Sequence, residues 1–140
     1  MIENNKSSLL QSPFESDQTQ EKINSITEKI IGCAYKVANN LGCGFLEKVY
    51  ENSLAYEIKK GGLSVKQQEQ IKVYYEKTEV GFYEADLLVA ECILVELKAV
   101  RQLDDIHKAQ CLNYLKATSL KICLLINFGN PKVEVRRIIL

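Results

Sequence analysis

Between Val80 and Val100 the chain reads VGFYEADLLVAECILVELKAV, two apolar runs of strand character joined by a short polar break. Each run carries acids where a buried strand has no structural use for them. An ionised carboxylate in an apolar sheet costs several kcal/mol unless a cation or a metal compensates it. If the second run is extended, its period of two places Leu94, Glu96 and Lys98 on one face and Ile93, Val95 and Leu97 on the other. In the first run the same rule groups Asp86 with Phe82, Glu84 and Leu88. Directly opposed residues of a hairpin share a face, so the connection decides whether Asp86 meets Glu96. A two-residue turn at Ala90 and Glu91 sets Asp86 opposite Val95 and leaves Glu96 on the far side. An odd connection, such as Ala90 to Cys92, or a bulge brings the two acids together.

Around this hairpin the chain divides into regular elements. From Glu21 to Leu41, apolar residues Ile23, Ile26, Ile30, Ala34, Val37 and Leu41 recur at spacings of three and four, which predicts an amphipathic helix. Gly42 follows the last periodic residue, the usual place for a left-handed helix terminus, and Gly44 permits a tight turn into the next helix. That second helix is predicted from Phe45 to Lys60, with Leu46, Tyr50, Leu54 and Ile58 along one stripe and Gly61-Gly62 ending it. Leu63 to Gln67 predicts a short strand, a polar connection runs through Glu69, and Ile71 to Glu76 predicts another strand, turned by Lys77-Thr78-Glu79 into the central hairpin.

After the hairpin, Asp104 or Asp105 caps a helix running to about Lys116. His107, Gln110 and Tyr114 share one side of it, while Ile106, Ala109, Leu112 and Leu115 are expected to supply its core face. His107 reads as a partly exposed helical histidine. Lys121 to Phe128 is a continuous apolar run, expected as a strand buried on both faces, and Val133 to Ile139 returns after Gly129-Asn130-Pro131 as a more polar edge strand. Two helices, a β-meander, a crossover helix and two further strands define a mixed α/β (α+β) class in one domain, residues 21–140. Residues 1–20, rich in Ser, Gln, Asn and Glu, are expected to form a disordered tail.

Composition narrows the function classes. Lys+Arg and Asp+Glu are equal at 18 each, so no global basic field attracts nucleic acid, whose non-specific affinity comes mainly from phosphate neutralisation. A local basic groove remains open, with Lys48, Lys59, Lys60, Lys66, Lys72, Arg101, Lys108, Lys116, Arg136 and Arg137 available to build it. The five cysteines are scattered and mostly embedded in apolar segments, as reduced thiols of a cytosolic protein would be. With no C-x-x-C pair and a single histidine, a structural zinc site is not expected, nor does the spacing suit an iron–sulfur cluster. The amino terminus lacks the pattern of a secretory signal and no apolar run approaches a membrane span, so a cytoplasmic protein without membrane contact is expected.

Three motifs in order carry a resemblance: Gly44-x-x-Glu47-x-x-Tyr50, then Asp86 with Glu96-x-Lys98 nine residues on, then Gln110-x-x-x-Tyr114. Over about Ile23 to Leu140 the sequence resembles the GxxExxY protein family, a small-domain branch of the PD-(D/E)XK nuclease superfamily. The resemblance implies a restriction-endonuclease-like core and a metal-dependent nuclease hydrolysing DNA phosphodiester bonds. It also implies a catalytic set of Asp86, Glu96, Lys98 and Glu47, with Asp86, Glu96 and Glu47 as metal ligands and Glu51 as a second choice for the helix acid. Gln110 and Tyr114 would position the lysine and the substrate phosphate. Such hard oxygen donors suit Mg²⁺ or Mn²⁺ and suit zinc poorly. Two departures stand out: Ala85 precedes Asp86 where the superfamily has proline, and the chain has no net positive charge. An alternative is a catalytically inactive nucleic-acid or protein interaction module that keeps the fold. A plainer one is a structural domain on which Glu96 and Lys98 merely pair at the surface. A domain this small is expected to act as a homo-oligomer or with a protein partner.

Overall fold

The structure, a computed structural model, describes residues 13–140, with side chains from Thr19 onward. Two helices come first, α1 (Pro13–Leu41) and α2 (Glu47–Lys60). A meander of β1 (Val65–Tyr75), β2 (Thr78–Val89) and β3 (Ile93–Lys98) follows, then α3 (Asp105–Thr118), β4 (Ile122–Asn127) and β5 (Glu134–Ile139). The five strands form one sheet in sequence order. Only β3 and β4 run parallel, as strands joined by a crossover helix do; the other neighbours are antiparallel.

The two faces of the sheet are covered differently. Ile93, Val95 and Leu97 of β3 with Ile122, Leu124 and Ile126 of β4 join Ile26, Ile30, Tyr50 and Leu54 of the first two helices in one core. On the other face Leu94, Cys123 and Leu125 pack with Cys111, Tyr114 and Leu115 of α3. Strand β4 lies between β3 and β5 and is buried along its whole length, as its unbroken apolar run requires.

Several sequence expectations need correcting. The first helix begins at Pro13 rather than Glu21. Proline fits a first helical position because its missing N–H has no intrahelical partner there. Of the expected tail, residues 13–20 are thus helical and residues 1–12 lie outside the described residues. The second helix starts at Glu47, not Phe45, and Leu46 is its extended cap. The two strands expected at Leu63–Gln67 and Ile71–Glu76 are one, β1, which passes through Gln68 with that residue in the left-handed region at φ 52°. Its turn into β2 is Glu76-Lys77, both at positive φ (49° and 67°), the two-residue hairpin geometry that matches strand twist. On α3, Ile106 and Ala109 are exposed; the core face is Cys111, Tyr114 and Leu115. The start of the helix is set by an Asp104 cap, with His107 Nδ1 accepting from the Asp104 N–H in return, which gives the partly buried His107 a structural role.

Candidate active site

The connection between β2 and β3 is the odd one. Val89 pairs with Ile93, Leu88 with Leu94 and Leu87 with Val95, leaving Ala90, Glu91 and Cys92 as a three-residue loop. Ala90 and Glu91 adopt positive φ (51° and 58°), and Cys92 N–H donates to the Val89 carbonyl at 3.1 Å. Asp86 and Glu96 are therefore the next opposed pair, and there the backbone ladder gives way. The Asp86 N–H donates to Glu96 Oε1 at 3.0 Å, and the Leu97 N–H donates to Asp86 Oδ2 at 2.8 Å. Each carboxylate satisfies a backbone donor of the opposite strand, so the strands part without orphaning buried amides.

The same point breaks the alternation of β2. Leu87 and Val89 face α1 and α2, yet Ala85 packs on the α3 side, as does Leu88. Tyr83 follows Ala85, its ring centroid 5.5 Å from that of Tyr114. The expected grouping of Asp86 with Phe82, Glu84 and Leu88 on one face consequently fails beyond Leu88. The left-handed Gln68, opposite Asp86 in the β1–β2 register, marks the matching break in β1.

Glu96 is 4% exposed. Burial, and then the negative charge of Asp86, push its pKa up to about 8, with the Lys98 ammonium opposing. The Tyr114 hydroxyl lies 3.4 Å from Glu96 Oε2 and 3.3 Å from the Glu84 carbonyl oxygen. Burial and the neighbouring Glu96 raise the tyrosine's pKa, so it remains a donor. Glu47, the first residue of α2, is also held above the usual carboxylate range by desolvation. Lys98 and a backbone hydrogen bond from Ala99 pull it down, while Asp86 and Glu51 push it up. Four of the expected residues, Glu47, Asp86, Glu96 and Lys98, thus share one electrostatic neighbourhood, with Tyr114 behind Glu96. Gln110 is half-buried one turn before Tyr114, and no hydrogen bond among the described residues joins it to this group.

Three residues outside the expected catalytic set complete the arrangement: Glu51, Gln68 and Asn127. Glu51, second choice to Glu47, is the buried acid of α2: its Oε2 accepts from Lys48 Nζ at 2.8 Å and Gln67 Nε2 at 2.6 Å. Its Oε1 accepts from Gln68 Nε2 at 2.6 Å, and the same amide reaches Asp86 Oδ1 at 3.2 Å. Gln68 thereby bridges the α2 acid to the β2 acid. Asn127, fully buried at the end of β4, donates to the Val100 carbonyl (2.9 Å) and accepts from the Val100 N–H (3.0 Å), fixing the backbone just beyond Lys98. Gly129 is required beside it, because a Cβ there would stand 2.0 Å from the Val100 carbonyl oxygen. A buried asparagine closing an apolar run and a polar pair in a predicted connection were the only sequence signals for these roles.

Tyr50 is structural. Its hydroxyl donates to the Gly42 carbonyl at 2.6 Å and accepts from the Phe45 N–H at 3.3 Å, while its ring stacks on Phe128 with centroids 4.8 Å apart. It ties down the loop in which Gly44 takes φ 108°, and so aims the start of α2 and Glu47.

Among the described residues no three His, Cys, Asp or Glu side chains already converge as an ion would require. The reason is visible in the bonding: the oxygens of Asp86 and Glu96 accept from backbone N–H groups, Gln68 and Tyr114. The donor set nevertheless fits a hard divalent cation, being entirely oxygen and carrying acids in excess, while burial and then the Asp86 charge leave Glu96 hard to ionise.

A family model described as PD-(D/E)XK nuclease superfamily matches residues 24–138, nearly the whole described chain. No curated protein and no solved structure matches. The chain belongs to the PD-(D/E)XK nuclease superfamily, and its three helices and five-stranded mixed sheet are the restriction-endonuclease-like fold. Nucleases of this superfamily generally use divalent metals such as Mg²⁺. No described helix is long and apolar enough to cross a membrane.

Proposed function

We propose that the protein is a metal-dependent phosphodiesterase that cleaves DNA, and that within its superfamily it falls in the GxxExxY branch. The observation that carries the reading is the facing pair Asp86 and Glu96, brought together at the parting of β2 and β3 with Glu96 held near a pKa of about 8. A structural sheet gains nothing from this. Removing one acid would relieve repulsion, whereas a cation would relieve it and be bound by it.

Asp86 and Glu96 would hold Mg²⁺ or Mn²⁺, with Glu47 as the third acid. When bound, the ion polarises a phosphoryl oxygen and lowers the pKa of a water. Lys98, on the strand face of Glu96, holds or deprotonates the attacking water or neutralises charge as it develops on the phosphate. Tyr114 fixes the rotamer of Glu96 through its hydroxyl, and Gln110, one turn earlier on α3, is assigned to the substrate phosphate. The five free cysteines support a reducing, cytoplasmic setting, and a homo-oligomeric or partner-bound working form is part of the same reading.

The test is calorimetric titration of Mg²⁺ and Mn²⁺ into wild type and Asp86→Asn, followed by incubation of the same samples with linear and circular DNA. Saturable binding and cleavage in the wild type, both lost in the variant, is the expected result. Binding without cleavage of any DNA would move the reading to the inactive interaction module. Equal metal response in the two proteins would overturn the metal assignment.

A further inference from the structure

Outside the acid cluster, the most distinctive feature is a cavity of about 460 Å³ between the far half of the β1–β2 hairpin and α3. Its walls include Lys72, Val73, Tyr74 and Tyr83 from the hairpin and Asn113 and Lys116 from α3. Three consecutive residues of one strand cannot all face one side of a regular pleat. Lys72 and Val73 keep that alternation, and beyond them the register shifts: Val73 pairs with Gly81 and Tyr74 with Glu79, leaving Val80 of β2 without a partner. Such a bulge bends and twists a hairpin and re-aims its side chains. The residues lining the cavity include two cations, two phenol rings and an amide.

This cavity is linked to Glu96 through Tyr114. Tyr83 packs against Tyr114, and the Tyr114 hydroxyl is 3.4 Å from Glu96 Oε2. Its cations are available: Lys116 closes no salt bridge with a described residue, and Lys72 has only a long contact with Glu79 at 3.9 Å, both partners exposed. Tyr74 and Tyr83 remain 42% and 39% exposed, so an incoming ring has rings to stack on. The volume falls within the roughly 300–1,000 Å³ of small-molecule sites. Aromatic faces beside cations are the means by which proteins hold unpaired nucleotides.

Resting on the nuclease reading, we propose that this cavity receives one unpaired nucleotide of the strand being cut, its base against Tyr74 and its phosphate against Lys116 and Lys72. A base within a duplex has both faces covered by its neighbours and has to leave the stack to enter such a site. The substrate class is therefore DNA with a single-stranded or splayed segment beside the scissile bond. The net neutrality of the chain fits, because local stacking then supplies affinity that a global basic field does not.

The experiment is fluorescence anisotropy with a fluorescein-labelled single-stranded oligodeoxynucleotide and its duplex, in EDTA at low ionic strength. The wild type should prefer the single strand by about tenfold or more. Tyr74→Ala should weaken the single strand by about tenfold and leave the duplex unchanged, Lys116→Glu should weaken the single strand by about tenfold or more, and Tyr74→Phe should keep the wild-type affinity. Lys116→Ala should also reduce the salt slope by about 0.7, one phosphate contact. Lys59→Glu, at the far end of α2, should have no effect. Duplex preference, or Tyr74→Ala binding the single strand as well as wild type, would overturn the proposal. Asp86→Asn separates the two readings. Single-strand affinity that depends on Tyr74, in a protein that cleaves nothing with Mg²⁺, would sink the nuclease and keep the cavity. Cleavage lost in Asp86→Asn with Tyr74→Ala binding as wild type would do the reverse.

Discussion

The two faces of the sheet are built from the same strands and do opposite jobs. The face under α1 and α2 is dominated by one apolar cluster of eighteen buried residues. The apolar cluster under α3 has nine, and beside it stands the buried Glu96 within reach of the Tyr114 hydroxyl. Stability is concentrated on the first face, and the second carries the buried acid whose pKa the fold raises. Because β3 contributes alternate residues to both, a single six-residue strand separates them: Ile93, Val95 and Leu97 on one side, Leu94 and Glu96 on the other.

Breaking the second face alone should be the largest functional effect. Lys98→Ala or Asp86→Asn should lower metal-dependent DNA cleavage by at least about a thousandfold, the several kcal/mol an ion site supplies, with the melting transition retained. Breaking the first face should do the converse. Leu124→Ala, at a fully buried position, should cost about 2–5 kcal/mol in urea unfolding and leave cleavage per folded molecule intact.

Between these lies the acid itself. An unfolded-chain glutamate titrates at roughly 4.3, and Glu96 in the fold at about 8. Between those values the folded state holds a proton that the unfolded state has lost, so without metal this group's contribution declines as pH rises from one to the other and is gone above about 8. Glu96→Gln, neutral throughout, should remove that slope. Urea midpoints measured against pH should agree for variant and parent near pH 4 and favour the variant by up to a few kcal/mol above pH 8. A parent whose stability is flat over this window would show that burial and Asp86 do not hold Glu96 protonated.

Smaller effects sharpen the boundary. Asn127→Ala leaves the Val100 N–H and carbonyl without their partner and should cost about 1–3 kcal/mol. Tyr50→Phe keeps the stack on Phe128 and loses the Gly42 bond, for about 1 kcal/mol, read as a small drop in the same urea midpoint.

The first face was largely legible in the sequence because periodicity reports it directly. The repeats in α1 and α2 and the unbroken run in β4 each announce a buried surface. The acids of the second face were legible as misfits, and the requirement for an odd loop between β2 and β3 could be stated from parity alone. Other features were not legible because they depend on partners distant in sequence. Gln68 looks like loop polarity until Glu51 and Asp86 lie on either side of it. Asn127 looks like a strand end until Val100 is beside it. The inversion of β2 at Asp86 defeats any period-two reading, since side chain to backbone bonds replace the ladder there.

The Asn127 and Gly129 contact also sets an order of events during synthesis. Every acid and the lysine of the site have been made by residue 98, but the backbone following Lys98 is held by residues 127 and 129, and Glu96 waits for Tyr114. Contacts of such sequence separation form late, after loop closure has been achieved. A ribosome-bound chain lacking β4 would carry the acids and the lysine without the contacts that hold them, so the arrangement forms only after β4 has been made.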